Sequence, residues 1–369
     1  MAKFIGLMSG TSVDAVDAAL VDFAADSLTL VATTSLPIDQ ALHRQISDLF
    51  TTGPDEIERL GRLDRQLGGL FAKAAMQLLQ MSGVKACDIV AIGSHGQTIR
   101  HRPRLPHQTA FTLQIGDPNT IAELTGITTV ADFRRRDIAC SGQGAPLTPA
   151  FHQAFFSHDS IQRAVLNLGG IANITWLPSN QTALGFDTGP ANGFMDYWIQ
   201  RCRGEAYDQG GAWAAGGMVQ EPLLFQLLDH PFFAMPPPKS TGKEEFTPAW
   251  LEAILKSGTS VYSDQDVQAT LLELTARTVT NALIAYCPSA KELFLCGGGA
   301  LNGCLYQRLQ ALLPQVRLAT TAELGIDVCW VEAIAFAWLA MRSLAGLSGN
   351  LPSVTGARHE AVLGAIYSR

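Results

Sequence analysis

Residues 8–17, MSGTSVDAVD, set Ser9, Gly10, Thr11 and Ser12 at a break between two apolar runs, Lys3–Met8 and AVDAALVDF (15–23), with Asp14 and Asp17 just beyond. Backbone N–H groups in a tight turn of small residues form a concave anion site, and hydroxyls add donors without crowding. Alone, the stretch reads as a plain β-hairpin turn sooner than as an anion site. A second glycine turn, NLGGIAN (167–173), stands at the corresponding point of the other half of the chain and offers an equivalent cradle. Two such turns could hold a polyphosphate from both sides.

Working outward, LTLVATTSLPI (28–38) adds a third strand to a meander. From Pro54 onward Ile57, Leu60, Leu63, Leu67, Leu70, Phe71, Ala74 and Leu78 recur at helical spacing. CDIVAIGSHG (87–96) and FTLQIG (111–116) read as strands, NTIAELTG (119–126) as a helix ended by Gly126, and ITTVADF (127–133) as a strand. The first half is thus βββαββαβ. The second half starts again with AVLNLGGIANITWL (164–177) and TALGFDTGP (182–190). Helical stretches follow, then the strands ELFLCGGG (292–299) and VRLATT (316–321) with a helix between them, and a helix over about 327–344. The repeated order suggests duplication of an α/β unit. The expected lobes are 1–140 and 141–369, facing each other across a cleft, with the tail from about 350 to 369 returning to the first lobe.

The bulk properties fit such a protein. Of 369 residues, 47% are hydrophobic and 16% charged, which describes an ordinary folded chain. The formal charge of −7 argues against general affinity for nucleic acid or anionic membrane, since both require a basic face. No secretory leader and no long apolar run is present, so a cytoplasmic location is expected. The seven cysteines form no CxxC pair and read as buried thiols, and the eight histidines form no HExxH, so a zinc site has no support.

Several segments could carry chemistry. No GxxxxGK[ST] occurs, which sets aside a lysine-centred phosphate loop. CGGGALNG (296–303) misses the GxGxxG spacing by one place and lacks a following acidic residue for a ribose, but it could let a nucleoside approach bare backbone at a helix start. Asp187, in ALGFDTGPAN, ends an apolar strand before a forced turn; it reads either as a base beside a phosphoryl donor or as a helix cap with Thr188 and Asn192. Glu332 lies early in an otherwise apolar helix, so its carboxylate needs a partner or a water-lined cleft, unless it merely complements the helix dipole. GSHGQTIRH (93–101) places Ser94, His95 and Gln97 after a buried strand. ADFRRRD (131–137) supplies Arg134, Arg135 and Arg136, of which one could grip a carboxylate while others form local salt bridges. PPPKSTGKEEF (236–246), with Lys239 and Lys243, is a lid or a linker. The absence of GxSxG leaves serine hydrolase chemistry unsupported.

Together MSGTSVDAVD, GSHGQTIRH, ADFRRRD, GQGAPLTPAFH, NLGGIANIT, GFDTGPAN, PKSTGKEEF and CGGGALN resemble the anhydro-N-acetylmuramic acid kinases, relatives of the sugar kinases of the actin, hexokinase and Hsp70 group, over nearly the whole chain. The resemblance implies a two-lobed actin-like ATPase (ribonuclease H-like) fold with duplicated βββαβαβα-type domains. It also implies a peptidoglycan-recycling enzyme using ATP and Mg²⁺, which opens 1,6-anhydro-N-acetylmuramic acid with water and phosphorylates O6. By the same resemblance, Asp187 is the catalytic base and Glu332 assists at the sugar. Gly10, Thr11 and Ser12 would hold ATP phosphates, Asp14 and Asp17 would organise the metal or its waters, and Asn167, Gly169, Gly170 and Asn173 would form the second cradle. Gly297, Gly298 and Gly299 would lie on the nucleoside side, and Gln97 and Arg135 would bind the sugar. The family also implies a homodimer. The turn departs from the family pattern at Val13 and Ala15, as does Ala191 after DTGP, and a left-handed Ala15 would be strained. Competing readings are a kinase of the same scaffold with another small-molecule acceptor, and an ATP-binding regulator without phosphotransfer.

Overall fold

The computed structural model describes residues 2–24, 27–103, 109–179, 181–242, 245–257 and 261–369. The opening turn joins β1 (Ala2–Met8) to β2 (Ala15–Phe23), paired antiparallel from Ala2 opposite Phe23 to Met8 opposite Asp17. Their apolar runs let both strands lie buried on two faces. β3 (Leu28–Pro37) completes the meander. The Glu56–Ser82 helix then buries the stripe Leu63, Leu67, Phe71, Ala74, Ala75 and Leu78, and stops at Gly83, whose φ of 69° suits a glycine cap. Ile57 falls off that stripe and is exposed. β4 (Ile89–Ser94) runs parallel to β1. β5 (Gln97–Arg102) and β6 (Phe111–Ile115) form a separate ribbon, and the Pro118–Thr125 helix leads to β7 (Thr129–Ala131), parallel to β4.

The second meander is β8 (Arg163–Leu168), β9 (Ile171–Leu177) and β10 (Leu184–Pro190), followed by β11 (Glu292–Cys296) parallel to β8 and β12 (Arg317–Thr320) parallel to β11. Its order, β10-β9-β8-β11-β12, repeats the order β3-β2-β1-β4-β7 of the first sheet. The fold is therefore α/β with a duplicated unit, of the kind that the resemblance to actin-like sugar kinases implies. Each unit has its own core, one around Ile5, Leu20 and Phe71, the other around Leu166, Phe186 and Leu271.

The chain divides into Met1–Phe155 with Trp330–Arg369, and Phe156–Cys329. The division differs from the expected boundary at 140, and it returns the whole Val331–Leu344 helix, not only the tail, to the first unit. Two glycines explain the helix. Gly6 of β1 and Gly93 of β4 are in register. A Cβ on Gly6 would stand 1.7 Å from the Ala333 carbonyl oxygen, and one on Gly93 2.0 Å from that of Phe336. Only bare backbone on both strands admits the helix at this distance.

Beyond it the tail is held by the fully buried Asp137, whose carboxylate accepts from Asn350 Nδ2 at 2.7 Å, Thr355 Oγ1 at 2.8 Å and the Gly144 N–H at 2.7 Å. Three partners offset the cost of burying that charge. β13 (Ala365–Tyr367) then pairs with β7 at the sheet edge. Among the described residues no helix is long and apolar enough to cross a membrane. None of the seven cysteines is in a disulfide; Cys140, Cys287 and Cys296 are buried, whereas Cys202 and Cys304 are half-buried and Cys87 and Cys329 exposed, against the expectation of buried thiols.

Candidate functional site

In the first unit the opening turn is closed by Val13 N–H donating to the Gly10 carbonyl at 3.2 Å. Thr11, Ser12 and Asp14 are exposed, and the space above Gly10 is open, with only Ser12 Oγ as near as 4.0 Å to a Cβ placed there. The left-handed residue of the turn is Val13, with φ 62°, whereas Ala15 lies in β2. A β-branched residue at positive φ is strained, and complete burial in the first core holds Val13 there. Below the turn the buried Ser9 hydroxyl donates to Gln97 Oε1 at 2.7 Å, with the Ala15 carbonyl also at 3.0 Å. Gln97 is 1% exposed, and this bond fastens it to the base of the turn.

Asp17 accepts from Ser35 Oγ at 2.7 Å. Burial raises its carboxyl above the usual range, the Ser35 bond opposes this, and the Asp14 charge adds to it. Glu332, in the first turn of the helix seated on Gly6 and Gly93, is raised likewise: desolvation is the main cause, the Arg134 guanidinium counters it, and Asp17 adds repulsion. Glu332, Asp17 and Arg134 are thus electrostatic neighbours.

Arg134 Nε donates to His95 Nε2 at 3.0 Å, and its Nη1 donates to the Gly144 carbonyl at 2.7 Å. His95 is buried against the Phe336 ring, 4.7 Å between centroids. Burial, then the Arg134 charge, hold its imidazole well below the ordinary range, so it is neutral with Nε2 as acceptor. Arg135 points elsewhere: it is exposed and pairs with Asp132 at 3.1 Å. The Phe133–Ala139 helix buries Phe133 and Asp137, one turn apart, and this sets which arginine faces inward.

In the second unit, Asn167, Asn173 and Asp187 stand opposite one another on β8, β9 and β10, one polar row across the sheet. Asn173 Oδ1 is buried without a partner among the described residues. The Gly169 and Gly170 carbonyls accept from the N–H groups of Asn192 and Ala191, each at 3.0 Å, tying the turn to the start of the Asn192–Arg203 helix. The three glycines of CGGGALN separate by environment. A Cβ on Gly297, at φ 79°, would meet Asn167 Oδ1 at 2.5 Å, and one on Gly299 would meet Asn192 Oδ1 at 2.7 Å, while Gly298 is exposed. Asn302 caps the following Gly303–Leu312 helix through the Leu305 N–H.

Asp187 is 7% exposed and lies inside β10, where the register shifts between Asp187 and Gly189, rather than at the strand's end. It is no helix cap, since Ala191 holds that position. Its N–H donates to the Lys239 carbonyl at 3.0 Å, and its Oδ2 accepts from the Thr241 N–H at 2.8 Å. The sequence does not decide between lid and linker for the PKST segment, because a partnership with a residue about fifty positions upstream leaves no local pattern. Its one signal is a lysine beside a proline run; Lys243 lies outside the described residues.

Residues 2–369 match the family model for anhydro-N-acetylmuramic acid kinase. A curated relative of that name from Shewanella amazonensis is 56% identical over 365 residues, 99% of this chain and 98% of the relative. One from Shewanella loihica is 55% identical over the same shares. A solved structure, the activator of the 2-hydroxyisocaproyl-CoA dehydratase from Clostridium difficile with bound ADPNP, overlaps 93% of this chain and 96% of its own at 12% identity and a TM-score of 0.45, too distant to bear on function. With the family model matched from end to end, the chain belongs to the anhydro-N-acetylmuramic acid kinases, a family of phosphotransferases.

Proposed function

We propose that this chain transfers the γ-phosphoryl group of ATP to O6 of 1,6-anhydro-N-acetylmuramic acid while water opens the anhydro bridge, giving N-acetylmuramic acid 6-phosphate and ADP, a step in cell-wall recycling. The observation that carries the proposal is the family match across residues 2–369. Asp187 takes the proton of the attacking water as its oxygen bonds to the anomeric carbon. The C1–O6 bond breaks, O6 bonds to phosphorus, and ADP departs. A ring ether is a poor leaving group in isolation; capture of its developing charge by phosphorus removes that barrier.

In the first unit, the open space above Gly10 and the exposed Thr11 and Ser12 suit phosphate oxygens. Asp14 and Asp17 fit Mg²⁺ by donor chemistry, being hard carboxylates close enough to repel, a repulsion that a divalent cation relieves. Bound there, Mg²⁺ would screen phosphate charge. Arg134, held by His95 and Gly144, replaces Arg135 as the guanidinium we assign to the sugar, beside Glu332. In the second unit, the unpartnered end of Asn173 suits a water, hydroxyl or hydrated cation beside Asp187, and exposed Gly298 suits a nucleoside.

The test is ADP release with Mg-ATP and, separately, the anhydro sugar, N-acetylmuramic acid, glucose or no sugar. Release confined to the anhydro sugar is expected. Release with another acceptor would make the chain a kinase of different substrate, and ATP binding without sugar-dependent release would make it a regulator.

A further inference from the structure

An aspartate taken out of water favours its neutral form, and a neutral carboxyl accepts no proton. At 7% exposure Asp187 therefore needs compensation if it is the base. Lys239 and Thr241 supply two kinds. Thr241 presents its backbone N–H to Oδ2 at 2.8 Å, while the Asp187 N–H is fixed to the Lys239 carbonyl at 3.0 Å, so the strap grips both main chain and carboxylate. Thr241 is itself tied down, its hydroxyl donating to Glu245 Oε2 at 2.6 Å.

The second kind is charge. Lys239 is 4% exposed, a rare place for lysine. Its ammonium donates to the Phe232 and Phe233 carbonyls at 3.1 and 3.5 Å and lies 4.6 Å from the centre of the Phe232 ring. These neutral partners hold the ammonium in place; burial pulls its pKa below the ordinary lysine value, and the charges of Asp187 and then Glu245 oppose that shift, so the two carboxylates and the ammonium are electrostatically coupled. Against the same place, a Cβ on Gly189 would come within 2.6 Å of the Phe233 ring, so the Pro231–Ala234 turn is packed hard onto β10.

We propose that Lys239 and Thr241 are positioning residues for Asp187: the Thr241 N–H aims the carboxylate, and the buried Lys239 ammonium keeps it ionised. The proposal rests on Asp187 being the base. Besides Asp187, Glu245 acts on the Lys239 charge, and His230 packs nearby, its ring 4.8 Å from that of Phe246 and 6.0 Å from that of Phe233.

The test uses the full chain with Mg-ATP and the anhydro sugar, following kcat and the KM for ATP from pH 5 to 9. Removing the cation in Lys239→Met should raise the Asp187 pKa and move the acidic limb of kcat upward by about one pH unit, with the KM for ATP unchanged. Lys239→Arg should restore the limb, and Glu245→Gln, which removes a negative charge, should move it downward. A merely structural loss would lower kcat or the melting temperature without moving the limb in opposite directions. Limbs unmoved, or moved alike, in Lys239→Met and Glu245→Gln overturn the proposal. Should Lys239→Met not fold, the limbs of Glu245→Gln and Lys239→Arg decide. Asp187→Asn separates the two levels: turnover like that of the wild type sinks the base itself, whereas an inactive Asp187→Asn with unmoved limbs sinks only the strap.

Discussion

Gly6→Ala adds one carbon where the Val331–Leu344 helix touches β1. Its Cβ would lie 1.7 Å from the Ala333 carbonyl oxygen, 2.8 Å from that residue's carbonyl carbon and 2.8 Å from the Ala337 nitrogen. All three are backbone atoms, so no side chain can swing aside. Reaching 3.0 Å, below which such contacts essentially do not occur, takes a retreat of 1.3 Å from the carbonyl oxygen. Overpacking costs about 1–3 kcal/mol, and an unyielding partner places Gly6→Ala at about 3 kcal/mol. For a unit the size of Met1–Phe155 with Trp330–Arg369, that is a fall in melting temperature of roughly 6–12 °C. The retreat also carries Glu332, the residue before Ala333, and misplacement by about 1 Å costs on the order of 10²-fold in rate. Gly93→Ala should behave alike. Gly61→Ala is the control: exposed in a helix with nothing within 4 Å, it should stabilise by about 0.5–1 kcal/mol. Thermal melts and kcat for the three variants check the reasoning, which fails if Gly6→Ala melts no lower than the wild type.

Other expectations follow from single residues. Arg134→Met should lower kcat by roughly tenfold or more, the worth of a charged hydrogen bond, whereas Arg135→Met, losing an exposed pair with Asp132, should change activity and stability little. Steady-state kinetics of the pair would contradict this if the effects were reversed. Glu332→Gln should stabilise the protein at pH 7.5 but not at pH 4. Because the folded carboxyl is raised, the folded state binds the proton more tightly than the unfolded state, so wild-type stability falls as pH rises from the unfolded pKa through the folded one. Urea melts at the two pH values test the sign.

The two meanders and the long Glu56–Ser82 helix were legible because each is set by local pattern: apolar runs broken at Ser9–Ser12 and Gly169–Gly170, and leucines at helical spacing. The home of the Val331–Leu344 helix was not, since it is decided by two glycines some ninety residues apart that meet only when β1 and β4 pair. A glycine inside each buried strand was the available sign of close backbone approach. Among the three adjacent arginines composition favours none; the buried Phe133 and Asp137 could have pointed to Arg134. Asp187 and Glu332 stood out as acids in apolar surroundings, while the strap on Asp187 arises from long-range pairing. Of the two departures in the opening turn it is Val13, not Ala15, that takes the left-handed conformation.

The most direct test of the account is Asp187→Asn, measured for ATP affinity by titration and for anhydro-sugar-dependent ADP release under saturating substrates. The account predicts ATP affinity like that of the wild type with release lowered about 10²- to 10⁴-fold, the share of a general base. Turnover equal to the wild type would contradict it.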